Sequence, residues 1–145
     1  MKFARTPGSG ARLGGQNFAA FGSMFSQVAM NMFVGDVVSI NEQDCEKNFR
    51  FTVECKAYKD ADKLENLLHG NSNIYGWVEE VLTDCVKVGK DGIVIFKWNN
   101  TPIYTAVTKD IQLPDSVKRI VLTNGIQVSH LEELLQHKDF WLKAK

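Results

Sequence analysis

The chain has 145 residues, 44% of them hydrophobic and 23% charged, with no net charge. That is enough for one domain with a real core, and it excludes disorder, a fibrous repeat and a binder that works by bulk positive charge. The charges are uneven: residues 1–35 hold Lys2, Arg5 and Arg12 and no acid, whereas residues 36–108 hold eight basic and twelve acidic side chains. This asymmetry suits an enzyme that holds both a polyanion and divalent cations, and it equally suits solvated charges scattered over a surface.

Cys45, Cys55 and Cys85 are odd in number and form no Cys-x-x-Cys pair, which argues against a disulfide framework or a zinc site. A reducing compartment follows, hence the cytoplasm (of a host cell, if the chain is phage-encoded). Lys2 and Arg5 lead into Gly and Pro rather than an apolar run, so no signal peptide is expected. Residues 14–35 lack charge, but Gln16, Asn17, Ser23, Ser26, Gln27 and Asn31 make them a poor membrane span.

In chain order, residues 2–6 read as a strand or extended arm and 7–15 (PGSGARLGG) as a loop. Phe18, Phe21, Phe25, Val28 and Met32 recur at steps of three and four, which predicts an amphipathic helix over 16–33. Its stripe suits core packing first, and a dimer contact or lid second. Residues 36–40 (DVVSI) and 49–57 (FRFTVECKA) predict two strands of one hairpin. In the second, Phe49, Phe51, Val53 and Cys55 alternate with Arg50, Thr52, Glu54 and Lys56, so Cys55 is expected in the core.

Helices are predicted over 60–69, capped by Asp60, and over 74–88, ended by Gly89. Residues 92–98 (GIVIFKW) read as a buried strand, Asn99-Asn100 as a turn, and 102–108 and 117–122 as further strands. Ser129 with Glu132 three residues on reads as a capping box that opens a terminal helix over 129–143. A single α/β domain over 1–145 results: a central mixed sheet flanked by helices. Within it, 1–15 form the arm and glycine loop, 16–34 the apolar helix, 36–108 the catalytic core and 109–145 a C-terminal strand and helix.

Glu54 and Lys56 are two apart on a strand and project from one face. A hairpin register that sets Asp36 beside Glu54 brings two carboxylates to one lysine. Two hard carboxylates, helped by the Cys55 carbonyl, can hold Mg²⁺, and the lysine can orient a water or stabilise developing charge. An acidic-x-Lys triplet by itself fits a solvated strand face as well. His69, His130 and His137 are scattered without metal-ligand spacing. Trp77, Trp98 and Trp141 could stack on bases, but Trp77 and Trp98 are expected in the core and Trp141 against the last helix.

Arg5-Thr6-Pro7-Gly8-Ser9-Gly10-Ala11, Gly35-Asp36-Val37 and Phe51-Thr52-Val53-Glu54-Cys55-Lys56 together resemble the Holliday-junction-resolvase branch of the PD-(D/E)xK nucleases, in particular its small phage-encoded members. Trp77-Val78-Glu79-Glu80, Ile93–Lys97 and Pro102-Ile103-Tyr104 extend the likeness across residues 4–108. The resemblance implies a restriction-endonuclease-like core and a Mg²⁺-dependent endonuclease, with Mn²⁺ able to substitute. It implies a homodimer that acts on branched DNA such as four-way junctions. Carried over by position, Asp36 and Glu54 are metal ligands and Lys56 is the catalytic lysine. Ser9, with the backbone of Gly10 and with Arg12 nearby, meets the scissile phosphate, and Arg5 contacts the DNA backbone.

This chain departs from the pattern in three places, one being the uncharged segment 16–34, which is longer than expected between the glycine loop and Gly35-Asp36. Family members often carry a glutamate on a helix ahead of the glycine loop, and the six residues before that loop leave no place for one; the site then relies on another acid, such as Glu80, or on a partner chain. The family helix often reads Trp-x-x-Gln, where this chain has Glu80. Two other readings stay open: a restriction-like or strand-trimming nuclease on the same scaffold, and a non-catalytic module that binds DNA or protein.

Overall fold

The computed structural model describes residues 49–143, together with the backbone of two short strands, β1 (Phe3–Arg5) and β2 (Val37–Ser39). The expected glycine loop and apolar helix 16–33 lie outside the described residues.

β3 (Phe51–Tyr58) starts a five-stranded mixed sheet with strand order β3-β4-β5-β7-β6. From β3 the chain passes through α1 (Leu64–Leu68) and α2 (Asn73–Val88) into β4 (Asp91–Trp98), which pairs parallel to β3 with Glu54 opposite Val94. A parallel neighbour demands a crossover of this length, and the helices supply it. β5 (Tyr104–Val107), β6 (Arg119–Val121) and β7 (Gln127–His130) then add antiparallel ladders. α3 (Leu131–Leu135) and a 3₁₀ turn (Lys138–Trp141) follow. The expected α/β class, a mixed sheet with flanking helices, is what the chain forms. No helix among the described residues is long and apolar enough to cross a membrane.

α2 carries most of one layer. The Ser72 hydroxyl accepts the Ile74 N–H at 3.1 Å, which satisfies one of the orphan donors of the first turn. Gly89 ends the helix in the left-handed region (φ 62°), with its N–H on the Cys85 carbonyl. Between these caps Ile74, Trp77, Val78, Val81, Cys85 and Val88 form the buried stripe, spaced for one helix face. Gly92 of β4 lets the helix sit close: a Cβ there would lie 3.1 Å from Val81 Cγ1. Val94, Phe96, Ala106 and Val128 complete this side of the core. The opposite side gathers Phe49, Phe51, Val53, Ile93, Leu113 and Leu134 around Phe140 and Trp141.

Several expectations need correction. β2 pairs antiparallel with β1, not with β3, so residues 36–57 do not form the expected hairpin. The helix expected over 60–69 is confined to Leu64–Leu68, and its N-cap is Lys63 rather than Asp60. The terminal helix 129–143 is replaced by β7, α3 and the 3₁₀ turn. The reason is visible at Ser129, which is 4% exposed and shares a 2.7 Å hydrogen bond with the Thr105 hydroxyl across the β5–β7 ladder. That bond holds Ser129 in a strand, and the helix start falls to His130, whose side chain makes no cap. Trp141 then closes the core, with its indole N–H donating to the Leu134 carbonyl at 2.9 Å.

Trp141→Ala should therefore cost about 3–5 kcal/mol of stability in chemical denaturation, the usual range for deleting a buried large aromatic. Leu135→Ala, at a half-exposed position of the same segment, should change it by less than about 0.5 kcal/mol.

Candidate active site

Side chains alternate along β3, and its even-numbered residues face α2. Thr52, Glu54, Lys56 and Tyr58 therefore form one line beneath the helix. The Lys56 ammonium donates to Glu80 Oε2 of α2 at 2.8 Å and lies 3.1 Å from Glu54 Oε1. The Lys56 and Glu54 side chains are only 17% and 14% exposed, whereas that of Glu80 is 52% exposed. The structure thus brings three of the expected residues, Glu54, Lys56 and Glu80, to one point.

Burial acts first on the Lys56 ammonium and lowers its pKa, but the hydrogen bonds to Glu80 and Glu54 and their negative charges outweigh it. The result is a pKa raised from 10.5 to about 12. Lys56 is a fixed cation at any physiological pH, suited to neutralising charge and unsuited to acting as a base.

Asp36 lies outside the described residues, as do Ser9, Gly10 and Arg12. The backbone of Arg5 pairs with that of Val37, the residue after Asp36. β2 itself comes within 8 Å of β3, Cα to Cα. Cys55 corrects the alternation read from the sequence: its side chain is exposed, because β3 runs past the core on that face after Val53. Its carbonyl has a different orientation from that of Glu54. The Asp91 N–H donates to the Arg50 carbonyl, so in this parallel ladder the even-numbered backbone groups of β3 turn toward β4 and the odd-numbered ones, Cys55 included, toward the outer edge.

Thr52 was missed by sequence reasoning. It is 2% exposed on the line that carries Glu54, and its hydroxyl has no hydrogen-bond partner among the described residues. A buried unsatisfied hydroxyl is uncommon in a folded protein. Nothing in a strand's alternation separates such a threonine from an ordinary one.

The donors gathered here are carboxylate oxygens, which a hard divalent cation prefers. The carboxylates of Glu54 and Glu80 fit such an ion, whereas the Cys55 carbonyl turns toward the outer edge of β3. Among the described residues, no group of three or more His, Cys, Asp or Glu side chains is placed to hold a metal. A hollow of about 940 Å³ lies elsewhere, lined by Arg50, Asp91, Asp115, His137 and Asp139 among others, and it shares no residue with the Lys56 cluster. The cluster reaches the surface through Glu80, at the strand that ends the sheet among the described residues, and such a place suits a large, extended substrate better than an enclosed small molecule.

The sequence matches the family described as "Phage putative PDDEXK endonuclease" over residues 1–141. The chain belongs to this phage-type PD-(D/E)xK endonuclease family. No curated protein and no solved structure matches it. Membership in an endonuclease family points to nuclease chemistry and to DNA as the substrate. Members of PD-(D/E)xK families generally use divalent metals, in keeping with the oxygen donors around Lys56.

The raised Lys56 pKa has a definite sign. Its contribution to stability is fully present below 10.5 and is lost as pH rises through about 12. In a nitrogen-detected NMR titration, the Lys56 ammonium should stay protonated at pH values where exposed lysines have lost their proton, and Glu80→Gln should lower its pKa.

Proposed function

We propose that this PD-(D/E)xK protein is a Mg²⁺-dependent, structure-selective DNA endonuclease that cuts branched DNA such as four-way junctions as a homodimer. The observation that carries this reading is the Lys56 ammonium held between the carboxylates of Glu54 and Glu80, of which Glu80 is half exposed. Glu54-Cys55-Lys56 is also the only acidic-x-Lys triplet in the 145 residues, so the family signature has one place to fall.

In this reading Asp36 and Glu54 hold the metal, with the Cys55 carbonyl as a further ligand and Glu80 as an auxiliary acid. A bound Mg²⁺ supplies positive charge that acidifies a water and offsets the charge of the scissile phosphate. Lys56, a permanent cation, orients that water and stabilises negative charge as the water oxygen bonds to phosphorus and the bridging P–O bond breaks. The departing oxygen takes up a proton from solvent. Arg5, Ser9, Gly10 and Arg12 bind the DNA backbone. A symmetric four-way junction needs two cuts related by a two-fold axis, which a two-fold dimer supplies.

Roles separate by measurement. With purified protein and labelled four-way junctions in Mg²⁺, Asp36→Asn, Glu54→Gln and Lys56→Ala should each reduce cleavage by at least about a hundredfold, as expected when positioned charge at a reacting phosphate is lost. Calorimetry should then split them. Asp36→Asn and Glu54→Gln abolish Mn²⁺ binding, whereas Lys56→Ala retains it, because removing a cation does not remove an oxygen ligand. Junction cleavage no better than that of a linear duplex would refute branched DNA as the substrate. Cleavage that survives Glu54→Gln would refute the site.

A further inference from the structure

A row of aromatic rings crosses the α2-facing side of the sheet where β3 and β4 end. Tyr58, Trp98, Tyr104 and His130 come from four neighbouring strands, with Tyr58 opposite Trp98 and Tyr104 opposite His130 in the ladders. Tyr58 stacks on Trp77 at 5.1 Å and 24°, and Tyr104 stacks on His130 at 5.3 Å and 26°. Trp98 lies 5.9 Å from Tyr104, and Phe96 touches Trp77, Trp98 and Tyr104. Trp77 and Phe96 form the buried floor. Above them Tyr58 is 48% exposed, the His130 side chain is 47% exposed, and Trp98 and Tyr104 are half-buried.

We propose that this row is a stacking platform for unpaired nucleobases, which carries a single DNA strand past the Glu54–Lys56–Glu80 cluster. The inference rests on DNA being the substrate of that cluster and adds the part of the DNA that the protein grips.

Three observations favour nucleobases as the occupant. Trp98 and Tyr104 pack against the Trp77–Phe96 floor yet stay partly open, Tyr58 and His130 are about half exposed, and all four rings are flat π-systems rather than aliphatic groups. Every base has a π-face, so rings in series bind a strand without regard to sequence. The row is also continuous with the candidate site: Tyr58 follows Lys56 on the same face of β3, and Trp77 lies one helical turn before Glu80. Finally, Lys59 is exposed directly after Tyr58 at the end of β3, where it can meet phosphates. Branch points and flaps present the unpaired bases that such a platform takes, whereas an intact duplex hides them.

The test uses the full chain in EDTA, where metal-dependent cleavage does not occur, with a labelled oligothymidylate and a duplex of equal length as probes. Oligothymidylate should quench the tryptophan fluorescence of the wild-type protein. Tyr58→Ala and His130→Ala should each weaken its binding about five- to a hundredfold, the range for losing one stacked base, while duplex affinity holds. Tyr58→Phe, which keeps the ring, should bind as wild type. Absence of quenching, or unchanged oligothymidylate affinity in both alanine variants, overturns the platform. A protein partner on this face would give that second result. The two readings fail separately: Mg²⁺-dependent cleavage with unaltered binding by Tyr58→Ala removes the platform alone. Ring-dependent binding of oligothymidylate without any cleavage removes the endonuclease reading and leaves the platform.

Discussion

The Lys56 ammonium ties an edge strand to the helix that covers it. Its bonds to Glu54 on β3 and Glu80 on α2 add a charged link between two elements that also meet through stacked rings, Tyr58 on Trp77. Removing the lysine would leave two carboxylates facing each other at short range, and like charges so placed resist ionising together. A cation is therefore required at this point. Glu54 and Glu80 are also oxygen donors of the type that suits a hard divalent cation.

The rest of the fold can be read as support for that meeting point. The crossover from β3 to β4 obliges α2 to run across the sheet, and Gly92 lets the helix settle onto it against Val81. The Ser72 cap fixes where α2 begins, and hence which residue, Glu80, lies over Lys56. On the far face, Phe140 and Trp141 pack against Phe51, so the last turn of the chain braces the strand that carries Glu54 and Lys56.

Much of this was legible in the sequence. The apolar alternation of residues 49–53, the stripe of 74–88 with Gly89 after it, and the unbroken run 92–98 each have one physical solution, and the chain takes it. The pairing of Glu54 with Lys56 followed from strand periodicity alone. Glu80 entered only through the resemblance of Trp77-x-x-Glu80 to a family helix, because no local pattern says which helix residue will overlie which strand residue. Ser129 misled, since a serine three residues before a glutamate looks the same whether it caps a helix or hydrogen-bonds across a ladder. The better clue was Asn124-Gly125, a tight-turn signal with Gly125 at φ 87°, which joins β6 to β7. Cys55 misled for a simpler reason: alternation gives the face of a strand but not how far the core extends beneath it.

The account stands on divalent metal gathering at Glu54 beside a lysine that stays charged. Anomalous diffraction from crystals soaked in Mn²⁺ locates that ion directly. The account predicts a peak at about 2.1 Å from a Glu54 carboxylate oxygen, the bond length of a small hard divalent ion. A peak confined to other acids, such as Asp91, Asp115 or Asp139, with none at Glu54, would contradict it.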